Sequence, residues 1–121
     1  MIVIYDATRA ARYADLLERL IPHSADYRLI PCTTREEAAR HVGEAEILFC
    51  WRFPTDLLAG AGRLRWIQAM GAGVEDLVAA PVPPGVVVTR VEGLFGTPMS
   101  EYAFAHMLAH AQQLPRLYAA Q

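Results

Sequence analysis

Short apolar runs of strand length alternate with helix-like segments along the first ninety residues, and this alternation constrains the fold more than any other feature. Five such runs occur in the order MIVIY, DYRLIP, AEILFCW, LRWIQAM and VVVTRV. Strands separated by helices form a parallel sheet, because a crossover must carry the chain back to the same edge each time. The sequence therefore predicts an α/β fold with a doubly wound, parallel, five-stranded sheet and helices on both faces.

The individual segments carry their own signals. The run AEILFCW is apolar on both faces, which is typical of a central strand. The first helix has apolar residues at helical spacing, Tyr13, Leu16, Leu17 and Leu20. Thr8 is placed to cap it, and the segment TTREEAARHV begins the second helix with a Thr cap and an acidic first turn. A long helix is predicted at the carboxyl end, and Pro115 is expected to interrupt it because proline lacks the amide hydrogen that a helix needs.

Composition limits the classes of partner. The 121 residues are 54% hydrophobic and 20% charged, as in a globular chain with one core. The net charge is −2, and the eleven cations are scattered arginines. This pattern argues against a nucleic-acid partner or an anionic membrane. The chain has no lysine, which excludes amine chemistry within it. No run approaches the roughly 20 apolar residues of a membrane span, so a cytoplasmic location is expected.

Ligands of doubly wound sheets bind outside the carboxyl ends of the strands. The residues predicted there are Asp6, Trp51, Arg52 and the segments 70–75 and 91–95. The stretch WIQAMGAGVED has the first two glycines of a dinucleotide fingerprint, but Asp76 occupies the third position and the following helix is short. The loop is therefore interpreted either as a cluster of anion-binding amides or as a turn in which Gly71 and Gly73 permit positive φ.

Three other sets of side chains are candidates for a binding, metal or thiol site. Arg52 is placed either to bind an anion through both nitrogens or to stack on Trp51, and the sequence favours neither. His106 and His110 have the spacing of a zinc pair but no evident third ligand, so they are predicted to pack at a helix interface and no metal site is expected. The two cysteines are predicted to be free, buried thiols.

Three segments together resemble the D-isomer-specific 2-hydroxyacid dehydrogenases, most closely the glyoxylate/hydroxypyruvate reductase branch. They are LRWIQAMGAGVEDLV, VVVTRVEGLFGTPMSEYAFAHML and FCWRFPTDLL. The resemblance is strongest over residues 45–121. It implies a flavodoxin-like substrate-binding domain at residues 1–96 and an interdomain linking helix at 97–121. The NAD(P)-binding Rossmann domain of such enzymes is expected to be absent from this chain.

The resemblance also implies roles for particular residues. The backbone amides of Ala72 and Gly73 would hold the substrate carboxylate, with Gly71 and Val74 beside them. Trp51 and Arg52 would form one wall of the substrate pocket, and Leu94 and Phe95 another. Met99 matches a position near the nicotinamide. No catalytic residue is expected in this chain, because the family's catalytic Arg, Glu and His lie in the second domain.

The implied function is substrate binding in an NAD(P)H-dependent dehydrogenase that reduces small 2-keto acids such as glyoxylate or hydroxypyruvate. The parent enzyme is expected to bind NAD or NADP and to form a homodimer, and its other partner is the missing Rossmann domain. These 121 residues alone are expected to bind no cofactor and to show no turnover. The alternative is a stand-alone α/β module that binds small acids or a protein without catalysis.

Overall fold

The computed structural model describes residues 1–22 and 26–120, so Gln121, the last residue of the predicted linking helix, lies outside the described residues. The chain divides into two compact units, Met1–Val91 and Glu92–Gln121. The first unit contains the sheet and the second contains the carboxyl-terminal helices.

The sheet of the first unit has five strands. They are β1 (Ile2–Tyr5), β2 (Leu29–Cys32), β3 (Ile47–Cys50), β4 (Trp66–Ala69) and β5 (Val87–Thr89). All neighbouring strands are parallel and their order is β2-β1-β3-β4-β5. The predicted α/β class, the parallel pairing and the central place of β3 are therefore confirmed. The sheet order reverses direction between β1 and β3, because the chain moves outward to β2 and then returns to the other side of β1.

Helices cover both faces of this sheet, as predicted. Helix α1 (Ala10–Leu20) packs its Ala10 and Ala14 against Ile2 and Ile4 of β1. The alternate strand residues point to the other face, where Val3, Leu48 and Ile67 are fully buried. That face is covered by α2 (Arg35–His41), by 3₁₀ segments at Val42–Glu44 and Thr55–Gly60, and by α3 (Glu75–Val78).

The start of α1 differs from the sequence prediction. Thr8 does not cap the helix: the carboxylate of Asp6 accepts hydrogen bonds from the amides of Thr8 and Arg9, both at 2.8 Å. Asp6 can do this because it directly follows β1, two and three residues before the amides that donate to it. The predicted apolar stripe is also partly wrong, because Leu16 is 39% and Leu20 74% exposed, Leu16 lying off the buried face and Leu20 in the last turn.

Two other local predictions can be compared with the structure. The Thr34 cap of α2 is confirmed as a full capping box with Glu37, an arrangement that satisfies two amides reciprocally. Strand β2 was predicted to end before Cys32 but includes it. Pro31 is tolerated within this strand because β2 lies at the sheet edge, where an amide donor is not needed on the open side.

The second unit consists of two consecutive helices. Helix α4 (Gly96–Ala111) is followed by α5 (Leu114–Ala119), and Pro115 occupies the first turn of α5. The predicted interruption is confirmed, with Gln113 in the left-handed region at φ 53° between the helices. No residue of α4 is buried. Within residues 1–22 and 26–120, no helix has the length and apolar character needed to cross a membrane.

Candidate functional site

The first cleft at the carboxyl edge of the sheet lies between the segment that follows β3 and the loop that follows β4. Its volume is about 470 Å³, and we call it the loop cleft. Six of the residues predicted to bind substrate line it, namely Trp51, Arg52, Gly71, Ala72, Gly73 and Val74. The topology brings these two sequence segments together because the carboxyl ends of β3 and β4 are adjacent.

The loop after β4 is held by its carbonyl groups. The carbonyl of Gly71 accepts a hydrogen bond from the amide of Val91 at 3.3 Å. The carbonyl of Ala72 accepts one from Nη1 of Arg90 at 3.1 Å. Both donors follow β5, so the neighbouring strand fixes the orientation of two successive peptide units.

The orientation of the carbonyls determines where the amides point. In a planar trans peptide the C=O and N–H groups point in opposite directions, and no described peptide bond is cis. The N–H groups of Ala72 and Gly73 therefore point away from Arg90 and Val91. Among the residues that the structure describes, the amides of 71–74 donate to no protein acceptor. The loop thus presents backbone donors that a ligand can use.

The glycines of this loop are not explained by positive φ. The described glycines with positive φ are Gly85 and Gly93, so the interpretation of Gly71 and Gly73 as positive-φ turn residues is wrong. Instead, a Cβ added at Gly71 would lie 3.0 Å from Cζ3 of Trp51. A Cβ added at Gly73 would lie 3.0 Å from Oε2 of Glu75. A side chain at Gly71 would press on a rigid indole ring, whereas one at Gly73 would meet the flexible end of a carboxylate side chain.

Arg52 has an unusual backbone. Its φ is 49°, in the left-handed region that costs a non-glycine residue roughly 1–2 kcal/mol. Such outliers persist where surrounding structure imposes them and they cluster at functional sites. Its guanidinium makes no hydrogen bond, ion pair or ring contact within the described part of the chain, so the predicted stacking on Trp51 is not observed. Arg52 therefore presents a cation that is open to a ligand.

A second cleft lies where the sheet order reverses, at the carboxyl ends of β1 and β3. Its volume is about 480 Å³, and we call it the switch-point cleft. It is lined by the turn that follows β1, by one residue of α1 and by residues that follow β3 and β4: Asp6, Ala7, Thr8, Arg9, Tyr13, Trp51, Arg52 and Met70. Trp51 and Arg52 thus line both clefts.

Sequence reasoning identified only part of the switch-point cleft. Asp6, Trp51 and Arg52 were predicted from the rule about strand ends, but Arg9 and Tyr13 were missed. A signal for them was present: Arg9 is in the turn after β1, and Tyr13 follows one helical turn later on the face that packs towards the sheet. Residues in the first turn of the helix after a strand lie at the same carboxyl edge of the sheet as the end of that strand. The rule that predicts ligand sites at strand ends therefore applies to them as well.

Burial and hydrogen bonding perturb two groups at these clefts. Burial disfavours the Asp6 carboxylate, but hydrogen bonds from the Thr8 amide, the Arg9 amide and the Thr8 hydroxyl outweigh it and lower the pKa of Asp6. Burial raises the pKa of the Cys50 thiol to about 12. Cys50 is a free, buried thiol like Cys32, and it is protonated near neutral pH and therefore no nucleophile.

The remaining predicted site residues belong to the second unit. Leu94 and Phe95 are the last two residues before α4, and Met99 lies in the first turn of that helix. All three side chains are exposed. His106 uses its Nδ1 to donate to the carbonyl of Tyr102 at 2.9 Å, and its ring lies against that of Tyr102. In the described ranges no group of three His, Cys, Asp or Glu side chains could hold a metal ion.

Two solved structures align with almost the whole of this chain. A crystal structure of a D-isomer specific 2-hydroxyacid dehydrogenase family protein from Aeromonas salmonicida is 35% identical to the chain with a TM-score of 0.79, and the match covers 99% of this chain and 38% of that one. The NADPH-dependent glyoxylate/hydroxypyruvate reductase from Sinorhizobium meliloti, solved with NADP and sulfate, is 23% identical with a TM-score of 0.66, covering 98% and 37%. The second likeness concerns the fold alone.

Curated relatives match a shorter segment. An uncharacterized Streptomyces coelicolor protein is 35% identical over 72 residues, which are 60% of this chain and 26% of that protein. Glyoxylate/hydroxypyruvate reductase A of Serratia proteamaculans is 36% identical over 73 residues, covering 54% of this chain and 23% of the reductase. No family model matches the chain. The chain spans less than two fifths of each relative named here, and over that span its predicted resemblance to the D-isomer specific 2-hydroxyacid dehydrogenase family is confirmed.

Proposed function

We propose that the loop cleft binds the carboxylate of a small 2-keto acid, and that these residues form the substrate-binding part of an NAD(P)H-dependent 2-hydroxyacid dehydrogenase of the glyoxylate/hydroxypyruvate class. The observation that carries the proposal is the pair of amides at Ala72 and Gly73, which project from a loop fixed by Arg90 and Val91. Successive backbone amides that are oriented before the ligand arrives bind an oxyanion with little reorganisation.

The side chains of the loop cleft support the same ligand. The open guanidinium of Arg52 matches the planar geometry of a carboxylate and can donate to it through two nitrogens. Trp51 packs against Gly71 and offers an apolar wall to the short carbon chain of the acid. A few polar groups that converge in a cleft with apolar walls are typical of small-molecule sites.

The nicotinamide cofactor does not fit these residues. The loop after β4 lacks the third glycine of a dinucleotide fingerprint, and α3 has only four residues, whereas a pyrophosphate site needs the start of a full crossover helix. The proposal therefore assigns the cofactor, the proton donor and the group that polarises the keto oxygen to a nucleotide-binding domain outside these 121 residues. The pocket wall at Leu94 and Phe95, the nicotinamide-facing Met99, the homodimer and the cytoplasmic location stay predictions.

The direct test is a titration of the isotopically labelled chain with glyoxylate, followed by amide NMR spectra. We expect the amides of Ala72 and Gly73 to shift most, because they would donate to the added carboxylate. Acetate at the same concentration tests whether any carboxylate suffices, and chloride tests whether any anion does. Spectra in which these two amides do not move while others do would contradict the proposed contact.

A kinetic test applies to a protein that contains these residues together with a nucleotide-binding domain. Gly73→Val adds a branched side chain against Glu75 and is expected to raise the KM for the keto acid about tenfold while leaving the KM for NADPH and NADH nearly unchanged. Gly62→Val is the matched control, since a Cβ at Gly62 meets nothing within 4 Å. An equal effect of Gly73→Val on both KM values would remove the loop from substrate binding.

A further inference from the structure

The proposed function uses the loop cleft and leaves the switch-point cleft without a role. This second cleft has a comparable volume, about 480 Å³, and it lies at the point where the sheet order reverses. Crevices at such points are the general ligand sites of doubly wound sheets. Its position therefore makes it a candidate binding site.

The charges that face the switch-point cleft favour an anion. Arg9 and Arg52 both line it, and neither guanidinium forms a hydrogen bond or a salt bridge with residues 1–22 or 26–120. The charge of Arg9 attracts the Asp6 carboxylate without such a contact, so Arg9 is partly compensated and Arg52 is not. The one carboxylate among the lining residues is Asp6, and one of its oxygens already accepts from the amides of Thr8 and Arg9 and from the hydroxyl of Thr8. The phenol of Tyr13 adds a further possible donor at the same wall.

The two clefts are neighbours, because Trp51 and Arg52 line both. A ligand that occupies both clefts, with its first carboxylate at the amides of Ala72 and Gly73, would contact these shared residues and direct its other end towards Arg9. The second end of such a ligand would meet guanidinium groups and not the carboxylates of the loop cleft.

We infer that the switch-point cleft binds a second anionic group of the same ligand, a carboxylate or a phosphate, and that Arg9 determines the preference for it. This inference rests on the proposed function and extends its substrate class to 2-keto acids that carry a second anionic group at the far end. Arg9 acts here as a specificity-determining residue, because it recognises a part of the ligand that does not react.

The test compares ligands with and without a second anionic group, by calorimetric titration of the 121-residue chain at low ionic strength. 2-Oxoglutarate is compared with 2-oxovalerate, which has the same chain length, and 3-phosphohydroxypyruvate with hydroxypyruvate. We expect the dianion of at least one pair to bind about tenfold more tightly, as one additional charge-assisted hydrogen-bonded pair provides. The pair that shows the larger gain identifies the second group as a carboxylate or a phosphate.

Variants of Arg9 test whether this residue causes the preference for a second anionic group. Arg9→Ala is expected to remove the advantage of the dianion and to leave binding of the monoanion unchanged. Arg12→Ala is the matched control, because Arg12 is an exposed arginine of α1, the helix that Arg9 precedes, and lines neither cleft. Arg9→Gln, which keeps a polar donor on a shorter side chain but removes the charge, should also lose most of the advantage, and thermal unfolding of each variant shows that it is folded.

The outcomes separate this inference from the proposed function. If the monoanions bind and shift the amides of Ala72 and Gly73 but the dianions gain nothing, the second subsite is contradicted and the proposed function stands. The same holds if Arg9→Ala and Arg12→Ala have equal effects. If no keto acid of either charge binds, the loop proposal fails and the second subsite fails with it.

Discussion

The loop cleft and the switch-point cleft share Trp51 and Arg52 but offer an anion different chemistry. In the loop cleft the donors are backbone amides, and the carboxylates of Glu75 and Asp76 stand among the lining residues. In the switch-point cleft the donors are guanidinium groups, and the only lining carboxylate, Asp6, is committed to the turn that follows β1. On the two proposals, the loop cleft recognises an oxyanion by the geometry of its amides, and the switch-point cleft recognises one by the charge of its guanidinium groups.

Because of this difference, the two clefts suit different parts of a ligand. Backbone amides remain when side chains are substituted, and they fit an oxyanion only where the loop geometry is maintained. Such a site suits the group that every substrate shares. Guanidinium groups appear or disappear with a single substitution and respond to the total charge of the ligand. Such a site suits the part of the ligand that varies.

The largest expected effect concerns the framework of the switch-point cleft. Asp6 is 7% exposed and accepts three hydrogen bonds, so Asp6→Ala leaves two amides at the start of α1 without their acceptor. We expect a loss of about 2–3 kcal/mol in the free energy of unfolding, measured by urea denaturation of the chain. Asp6→Asn keeps an acceptor oxygen and should lose clearly less. Equal losses would show that the acceptor is not what stabilises the turn.

Acidification separates the charge of Asp6 from its role as an acceptor. Its pKa is lower in the folded chain than the value of about 3.9 for an unfolded aspartate. Its stabilisation is therefore complete above the unfolded pKa and is lost as the pH falls through the folded pKa. The stability difference between the native chain and Asp6→Asn should shrink below about pH 4. A difference that stays constant from pH 6 to pH 3 would contradict this account.

A substitution at Gly71 tests the wall that Trp51 forms in the loop cleft. A Cβ at Gly71 would press on the ring of Trp51, the wall that both clefts share, so Gly71→Val should displace the indole. We expect affinity for glyoxylate to fall about tenfold, corresponding to one lost oriented contact. The measurement is the same calorimetric titration.

Two controls test the cause of that loss. Gly71→Ala should have a larger effect than Gly73→Ala, because the carboxylate end of Glu75 can rotate away from a new methyl group and the indole must move as a whole. Tryptophan fluorescence should change with Gly71→Ala and not with Gly73→Ala. The reverse order of the two glycines would show that Trp51 does not support the loop.

The sequence predicted the framework better than the details of the clefts. Apolar runs such as AEILFCW report burial on both faces directly, so the sheet and the central place of β3 could be predicted. The choice of Asp6 over Thr8 as the acceptor at α1 depends on where β1 ends relative to the turn, which local propensity does not specify. Arg9 and Arg52, which lie far apart in the sequence, line one cleft because β1 and β3 lie side by side. The left-handed backbone of Arg52 has no signal in the sequence, because arginine rarely adopts that conformation.

The smallest expected effect tests the acidic rim of the loop cleft. Glu75 lines this cleft, and the carboxylate end of its side chain lies next to the backbone of Gly73, so its charge repels a bound carboxylate. Glu75→Gln should therefore tighten the binding of glyoxylate about two- to threefold at low ionic strength, and the gain should fade in roughly 0.5 M salt because exposed charges are screened. Glu44→Gln removes another exposed charge, one near the amino end of β3 on the opposite edge of the sheet, and should change nothing. If both variants tighten binding equally, the effect comes from the net charge of the chain alone, and the position of Glu75 beside the loop cleft has no effect of its own. A gain that belongs to Glu75 and disappears with salt would instead show that the amides of the loop cleft bind their anion against a local negative field, which the guanidinium groups of the switch-point cleft do not face.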